Sequence, residues 1–270
     1  MMINSSLFDI PIINSVIEYD RTDSTNTKAK EFARRGSVHG TLFIAHCQTA
    51  GKGRMERSFS SPMDDGVYMS LLIRPDMSLP HIANITLVAA LSITRALKEV
   101  CGISPMIKWP NDIVVGDRKL VGILTEASSD FIVLGIGINV HNKSFPEPIN
   151  ATATSLYQET GRSFDNFELI KSVMSHFSIL YDSFIISDNI GFLVDEYNSI
   201  LAGIDKEVYI IPHEMSKSNN NTYNVSTGNL SPYICRGIDL SGNLLCEDVS
   251  GKIIYVNSGE VSLRGANGYI

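Results

Sequence analysis

The stretch Lys108-Trp109-Pro110-Asn111-Asp112 contains the only tryptophan of the chain. A rigid proline flanked by aromatic, amide and carboxylate side chains at the start of a strand is open to two interpretations. In one, Asn111 and Asp112 satisfy backbone donors of a structural turn. In the other, they form a polar cluster at a strand end, where Asp112 helps to hold a magnesium ion.

A second informative segment lies upstream of this stretch. Residues 48–57 have the sequence QTAGKGRMER. Gly51 and Gly53 allow the backbone to approach a ligand closely. Its basic side chains suit phosphate or carboxylate, which arginine binds in bidentate fashion; they are Lys52, Arg54 and Arg57. A solvated hairpin has the same composition, so the pattern alone leaves both interpretations open.

Two apolar segments follow. In residues 117–124, Lys119 enters a strand-like run, either as an exposed charge on an edge strand or as a cation aimed into a pocket, and Gly122 lets a ligand lie against the strand. In residues 135–140, GIGINV, the glycine spacing excludes a dinucleotide-binding fingerprint, and no helix follows. Asn139 is placed to bond a base or ribose, or to cap the next turn.

Apolar periodicity and turn residues predict an α+β fold with a mixed sheet and flanking helices. The predicted helices cover residues 26–35, 84–100, 165–185 and 191–201. The predicted strands cover 40–46, 67–73, 105–108, 112–115, 119–125 and 131–140. Residues 141–161 are expected to form a flexible connection, with Ser24, Thr25 and Asn26 as N-cap side chains of the first helix.

The predicted secondary structure changes near Gly203. Short strands at 208–211, 233–238, 244–246, 253–256 and 260–263 predict a small barrel, with an exposed polar loop at 216–224. We therefore expect two domains, residues 1–203 and 204–270.

The composition restricts the class of protein. A net charge of −7 argues against a protein whose main task is to bind nucleic acid. The four cysteines match neither a zinc nor a disulfide framework. The sequence shows neither a signal peptide nor an uninterrupted apolar run of about 18 residues, so we expect a cytoplasmic protein without membrane contact.

Taken in order, these segments resemble the biotin protein ligases, that is, the biotin–acetyl-CoA-carboxylase ligases. Residues 108–112 match the KWPND signature of that family, and 135–140 match its GIGIN-V strand. The other segments of the resemblance are Ser24-Thr25-Asn26, residues 48–57, Arg118-Lys119-Leu120 with Gly122, Thr154-Ser155-Leu156 and residues 259–264. The resemblance runs from about residue 20 to 265.

The resemblance implies a class II aminoacyl-tRNA-synthetase-like catalytic domain, a small SH3-like C-terminal barrel, and two half-reactions: biotin and ATP form biotinyl-5′-AMP, and biotin then passes to a lysine of a biotin carboxyl carrier domain. The implied catalytic residues are Lys119, Arg54 and Arg57. The implied biotin-binding residues are Ser24, Thr25, Asn26, Gln48, Gly51, Lys52, Gly53, Arg54, Trp109, Lys119, Gly122 and Gly135. The implied nucleotide-binding residues are Arg57, Lys108, Asn111, Asp112, Asn139 and Arg264, with Asp112 near Mg²⁺.

Three positions depart from the family pattern: Lys52 replaces an arginine, Glu56 a glycine and Phe59 a tryptophan. About 20 residues precede Ser24, so we expect the ligase-only class without an N-terminal DNA-binding domain. The protein is expected to be a monomer or a homodimer. The alternatives are a lipoate–protein ligase, a biotin sensor or transcription factor, and a homologue that has lost turnover.

Overall fold

The computed structural model describes residues 5–55, 57–75, 82–212, 230–257 and 261–265. After a short 3-10 helix (Ser5–Leu7), the chain forms a seven-stranded sheet. Its strands are β1 (Ser15–Tyr19), β2 (Thr41–Ala45), β3 (Gly66–Ile73), β4 (Met106–Lys108), β5 (Asp112–Val115), β6 (Arg118–Ala127) and β7 (Ile132–Asn139).

The strand order across this sheet is β1-β2-β3-β7-β6-β5-β4. Strands β1 and β2 pair in parallel and the other neighbours pair antiparallel, so the predicted mixed sheet is confirmed. A tight turn at Gly116, with φ of 57°, joins β5 to β6, as the Gly116-Asp117 pair predicts. The order brings residues 135–139 of β7 beside β6, the strand that contains Lys119.

Helices cover both faces of this sheet. Successive residues of a strand point to opposite faces, so they belong to two different apolar clusters. Leu42 and Leu71 belong to the larger cluster, formed with α2 (Ile82–Cys101) and α4 (Asn166–Ser187). The neighbouring Phe43 and Leu72 belong to the smaller cluster on α1 (Thr25–Arg34). The remaining helices are α3 (Leu156–Thr160) and α5 (Gly191–Ser199).

Helix α4 is long and apolar enough to cross a membrane by length and composition. However, half of its most apolar window is buried inside the fold, where it packs against α2. The apolar composition of α4 is therefore explained by its packing in the core.

The second sheet has five antiparallel strands in the order β11-β10-β9-β8-β12. They are β8 (Glu207–Pro212), β9 (Pro232–Ile238), β10 (Leu244–Glu247), β11 (Ile253–Val256) and β12 (Val261–Gly265). Strands β11 and β12 lie at opposite edges and do not pair within the described part of the chain. The predicted all-β module is present as an antiparallel sheet, and the described residues do not show closure into the expected barrel. The predicted polar loop at 216–224 lies outside the described residues.

Trp109 joins the two sheets. Its side chain is 1% exposed, and Nε1 donates a hydrogen bond of 3.2 Å to the carbonyl oxygen of Gly242, in the turn between β9 and β10. The geometry of this contact depends on Gly242, whose φ of 84° suits glycine. Residues 108–112 are therefore also where the C-terminal sheet contacts the large sheet.

Two local predictions change. Ser24 is the N-cap residue of α1, but its side chain makes no capping hydrogen bond. The predicted flexible connection at 141–161 contains α3, which begins after a Ser155 cap and ends at Gly161 with φ of 67°. Strand β1 is not among the predicted strands, because its short segment carries no clear sequence signal.

Candidate functional site

A cleft lies over the middle of the large sheet. Its walls are the start of α1, the loop that follows Gln48, the facing parts of β3, β6 and β7, and Asn111 just before β5. The lining residues are Ser24, Thr25, Asn26, Gln48, Lys52, Gly53, Arg54, Phe59, Met69, Asn111, Lys119, Gly122, Ile123, Leu124, Gly135, Ile136 and Gly137. One end of the cleft is neutral and polar, and the other is cationic.

At the neutral end, Gln48 connects α1 to the loop. Its Oε1 accepts hydrogen bonds from the Thr25 backbone N–H (2.8 Å) and from the Thr25 hydroxyl (3.1 Å). Its Nε2 donates to Ser61 Oγ at 2.9 Å. Because the neighbours satisfy both ends of the amide, the Gln48 side chain is held in one orientation on the cleft wall.

Asn26 lies beside this network, and Gly135 makes room for it. A Cβ atom on Gly135 would collide with Asn26 Oδ1. The same oxygen is 2.6 Å from Ser70 Oγ, which is also 2.7 Å from Thr25 Oγ1. The first glycine of the GIG segment thus lets an amide lie flat on β7.

Phe59 accounts for the second glycine of that segment. The loop closes on itself through hydrogen bonds from Gly53 N–H to the Arg57 carbonyl (2.7 Å) and from Phe59 N–H to the Gly51 carbonyl (2.9 Å). This places the Phe59 ring on the sheet, where a Cβ on Gly137 would lie 2.6 Å from its Cε1. A Cβ on Gly122 would lie 3.1 Å from both the ring and the Lys119 amine.

A chain of polar contacts forms the cationic end. Arg54 Nη1 donates to Asn111 Oδ1 at 2.9 Å, and Asn111 Nδ2 donates to Asp112 Oδ1 at 3.0 Å. The Lys119 amine is 2.7 Å from the same carboxylate oxygen. Two cations are thus held in advance at one place, which suits a ligand that carries negative charge.

Burial lowers the pKa of Arg54, with the charge of Asp112 opposing this effect and that of Arg57 adding to it. Because arginine stays protonated in proteins, the effect of burial is to make Arg54 a poorly hydrated cation that favours an anionic partner.

The segment before α3 docks on the Lys119 strand. The Lys119 N–H donates to the Thr152 carbonyl at 2.8 Å, and the Thr154 N–H donates to the Lys119 carbonyl at 2.9 Å. Asn139 Nδ2 donates to the Thr154 carbonyl at 3.0 Å. Asn139 thus bonds the segment before α3, 15 residues further along the chain, and its two predicted roles stay predictions.

A second groove adjoins the cleft. It lies between residues 48–62 and 146–149, and Arg21, Gly51, Arg57 and Phe59 are among the residues that line it. Gln48 and Phe59 line both cavities, so these two residues lie at the boundary between them.

The structure therefore brings most of the predicted site residues together. Of the predicted biotin-binding set, Gly51 faces the second groove instead, with a backbone packed so closely on Phe59 and Ser61 that no side chain fits. Trp109 is a correction, because it is buried against Gly242 and does not line the cleft.

The predicted nucleotide-binding residues are dispersed. Asn111 lines the cleft and Arg57 the second groove, whereas Lys108 is buried in β4. Arg264 lies on β12 opposite Tyr209, and its side chain is outside the described part of the structure, as is Glu56. Cleft residues that sequence reasoning missed are Met69, Ile123, Leu124, Ile136 and Gly137.

No group of three or more His, Cys, Asp or Glu side chains that could hold a metal ion is found among the described residues. Asp112 is the carboxylate at the cationic end, and Lys119 and Asn111 already bond it. A single such carboxylate suits a Mg²⁺ ion that is bound chiefly by substrate phosphates.

Comparison with known proteins identifies relatives of this chain. Residues 18–141 match the model of the biotin/lipoate A/B protein ligase family. The bifunctional ligase/repressor BirA of Bacillus subtilis is 39% identical over 173 residues, which are 62% of this chain and 53% of that protein. The biotin–[acetyl-CoA-carboxylase] ligase of Mycobacterium tuberculosis is 33% identical over 141 residues, or 50% of this chain and 52% of that protein.

Among solved structures, the biotin protein ligase from Aquifex aeolicus in complex with biotin and ATP superimposes with a TM-score of 0.81. It is 29% identical, and the match covers 94% of this chain and 100% of that one. The chain spans only about half the length of the Bacillus and Mycobacterium relatives. The large sheet and its helices therefore form a biotin-ligase catalytic fold.

Proposed function

Because residues 18–141 match the biotin/lipoate A/B protein ligase family, we propose that the chain activates biotin with ATP and transfers the biotin to a lysine of a carrier protein. One observation carries the proposal. A single cleft joins a neutral wall of amide and hydroxyl groups, at Thr25, Asn26 and Gln48, to a cationic end at Arg54 and Lys119. Biotin has the matching pattern, an uncharged ureido ring at one end and a carboxylate at the other.

In the first half-reaction, a carboxylate oxygen of biotin attacks the α-phosphorus of ATP. The bond between that phosphorus and the bridging oxygen to the β-phosphate breaks, and pyrophosphate leaves. Both reactants are anions, so cations fixed in advance lower the barrier. Lys119 bridges the carboxylate and the α-phosphate, Arg54 orients the carboxylate, and Arg57 binds phosphate from the adjoining groove.

Lys119 must exchange partners for this step. Its amine is 2.7 Å from Asp112, so binding of the two anionic substrates replaces one carboxylate contact by others. Asp112 thereby keeps the amine close to its working position between turnovers. Asp112 is the carboxylate that would help to hold Mg²⁺ together with the phosphates of ATP, and the ion would neutralise charge on the triphosphate.

In the second half-reaction, the amine of an acceptor lysine attacks the acyl carbon of biotinyl-5′-AMP. The bond to the AMP oxygen breaks, AMP leaves, and the new amide nitrogen loses a proton. The intermediate hydrolyses readily, so water has to be excluded. The loop at 50–59 and the segment at 141–154 border the two cavities and are proposed to cover it.

The acceptor is proposed to be a biotin carboxyl carrier domain, in line with the acetyl-CoA-carboxylase ligases among the relatives. We further propose a boundary between catalytic and C-terminal domains at residues 203 and 204, and an SH3-like character for β8–β12. A cytoplasmic location, the lack of a nucleic-acid partner and a monomeric or dimeric state stay predictions.

The test is incorporation of labelled biotin into a purified carrier domain with ATP and Mg²⁺. We expect ATP-dependent labelling by the wild type, and a loss of about a hundredfold or more in Lys119→Ala, because a fixed transition-state cation is removed. Lys28→Ala is the matched control, since Lys28 pairs with Glu31 on α1 and does not line the cleft.

A competition arm distinguishes the alternatives. Excess unlabelled biotin should abolish labelling, and excess lipoate should not. Effective competition by lipoate would indicate a lipoate–protein ligase. Biotin binding without labelling of a competent carrier would indicate a binding protein that has lost the reaction.

A further inference from the structure

The Asn26 carboxamide on the cleft wall has two chemically opposite ends of similar shape, so its neighbours decide which end points where. Its Nδ2 donates to Glu126 Oε2 at 2.9 Å and to the Leu124 carbonyl at 3.3 Å. Its Oδ1 lies 2.6 Å from the Ser70 hydroxyl, above Gly135. Asn26 is 4% exposed, so water does not readily replace these contacts.

Glu126 is the neighbour that decides the orientation. An ionised carboxylate only accepts hydrogen bonds, so the end of the amide that faces Glu126 has to be the NH₂ group. The Leu124 carbonyl acts in the same direction from a longer distance. The Ser70 hydroxyl is able to donate or accept and therefore fits either orientation.

Glu126 is kept ionised by the other side of its carboxylate. Its Oε1 is 2.6 Å from the amine of Lys30, one turn along α1 from Asn26. Burial alone would raise the pKa of Glu126, but the hydrogen bonds from Lys30 and Asn26 outweigh it and lower the pKa. Glu126 itself does not line the cleft, so its part in the site is indirect.

We infer that Glu126 is a positioning residue that fixes the Asn26 carboxamide, so that the carbonyl oxygen lies over Gly135 and the NH₂ group points away from it. The inference rests on the proposed function, with biotin as the ligand. An accepting oxygen on this wall favours a ligand that offers N–H groups, as the ureido ring does, over one that only accepts.

Removing the carboxylate should weaken ligand binding while leaving the chemistry intact. In Glu126→Ala, the amide is free to turn over, and we expect the Kd for biotin, measured by calorimetry, to rise about tenfold, the effect of about one hydrogen bond. The KM for biotin in ATP–pyrophosphate exchange should rise in parallel. The kcat at saturating biotin and the Tm should stay close to the wild-type values.

A reciprocal exchange tests the orientation itself. Asn26→Asp places two carboxylates face to face and should weaken binding further. Adding Glu126→Gln to that variant lets the glutamine NH₂ donate to the carboxylate introduced at position 26, whose other oxygen still accepts from Ser70. We expect the double variant to bind biotin more tightly than Asn26→Asp alone.

Glu31→Ala is the matched control, because Glu31 also pairs with a lysine of α1, at 3.2 Å, but does not line the cleft. An unchanged Kd in Glu126→Ala, or a double variant no better than Asn26→Asp, overturns the inference alone. A wild-type protein that does not bind biotin overturns the proposed function, and the inference with it.

Discussion

At the scale of single residues, the glycines of the cleft floor are explained by what lies on them. Gly135 accommodates the Asn26 amide, and Gly122 and Gly137 accommodate the Phe59 ring. The sequence predicts that a ligand lies against the strand at Gly122. In the structure the neighbour of Gly122 is part of the protein itself.

The contact between Gly137 and the Phe59 ring predicts that Gly137→Ala weakens biotin binding. The added methyl would lie 2.6 Å from Phe59 Cε1 and meets only that side chain among its nearest neighbours, so the ring has to leave the floor while the sheet stays paired. We expect biotin affinity to fall about tenfold or more, with a Tm change of about a few degrees at most.

Gly191→Ala is a suitable control for that variant. Gly191 begins α5, far along the chain from the cleft, and a methyl there meets nothing closer than the end of the Asn189 side chain, at 3.0 Å. If Gly137→Ala binds biotin as the wild type does, Phe59 has no role in shaping the cleft.

At the scale of elements, His46 connects three segments at the edge of the large sheet. Its Nε2 is 2.9 Å from Glu18 on β1, and its Nδ1 is 2.7 Å from Asp64, just before β3. Burial of the ring opposes protonation, but the hydrogen bonds to Asp64 and Glu18 prevail and raise the pKa of His46.

The stabilisation from this contact should therefore depend on pH. Because the folded-state pKa lies above the unfolded value of about 6.5, the contribution is complete below that pH and is lost as pH rises through the folded-state pKa. Replacing His46 by Gln should lower the free energy of unfolding near pH 6, by less than about 1 kcal/mol because Asp64 is largely exposed.

The measurement is chemical denaturation of both proteins at several pH values, with the Glu18→Gln and Asp64→Asn pair as the background in which the difference should vanish. A wild-type advantage that increases toward alkaline pH would contradict the assignment.

Elements whose signals are local are the ones that sequence reasoning predicts well. Helix α2 shows apolar residues at helical spacing, and its observed bounds, Ile82–Cys101, extend the predicted 84–100 by a few residues. Strand β1 (Ser15–Tyr19) escapes prediction, because it is short and is held by parallel pairing with β2, a contact that local pattern does not reveal. Neighbour relations of this kind, β3 beside β7 among them, also decide which residues line the cleft.

At the scale of the whole molecule, Trp109 shows that a sequence motif does not predict long-range packing. Its position within residues 108–112 suggests contact with ligand, but long-range packing places the indole against Gly242 of the second sheet. Residue type and spacing do not distinguish a site wall from a domain contact. By the same reasoning, five short strands do not reveal whether the second sheet closes into a barrel.

The contact predicts that Trp109→Phe loosens the attachment of the two sheets. The substitution removes one buried hydrogen bond and part of a large side chain, so the free energy of unfolding should fall by about 1 to 3 kcal/mol. Biotin affinity should change less than about twofold, because Trp109 does not line the cleft. Thermal denaturation would measure the change in stability, and calorimetry the change in affinity. A large loss of affinity with an unchanged Tm would indicate instead that Trp109 contacts the ligand.

Since this side chain is also the only tryptophan of the chain, the molecule carries a built-in optical reporter. Selective excitation of the indole reads the junction between the two sheets and no other place. Its emission should be that of a ring shielded from water, and it should shift to the red when the C-terminal sheet detaches, even if the large sheet stays folded. Undocking and global unfolding of this protein should therefore be separable, without any label, by comparing fluorescence with far-ultraviolet circular dichroism.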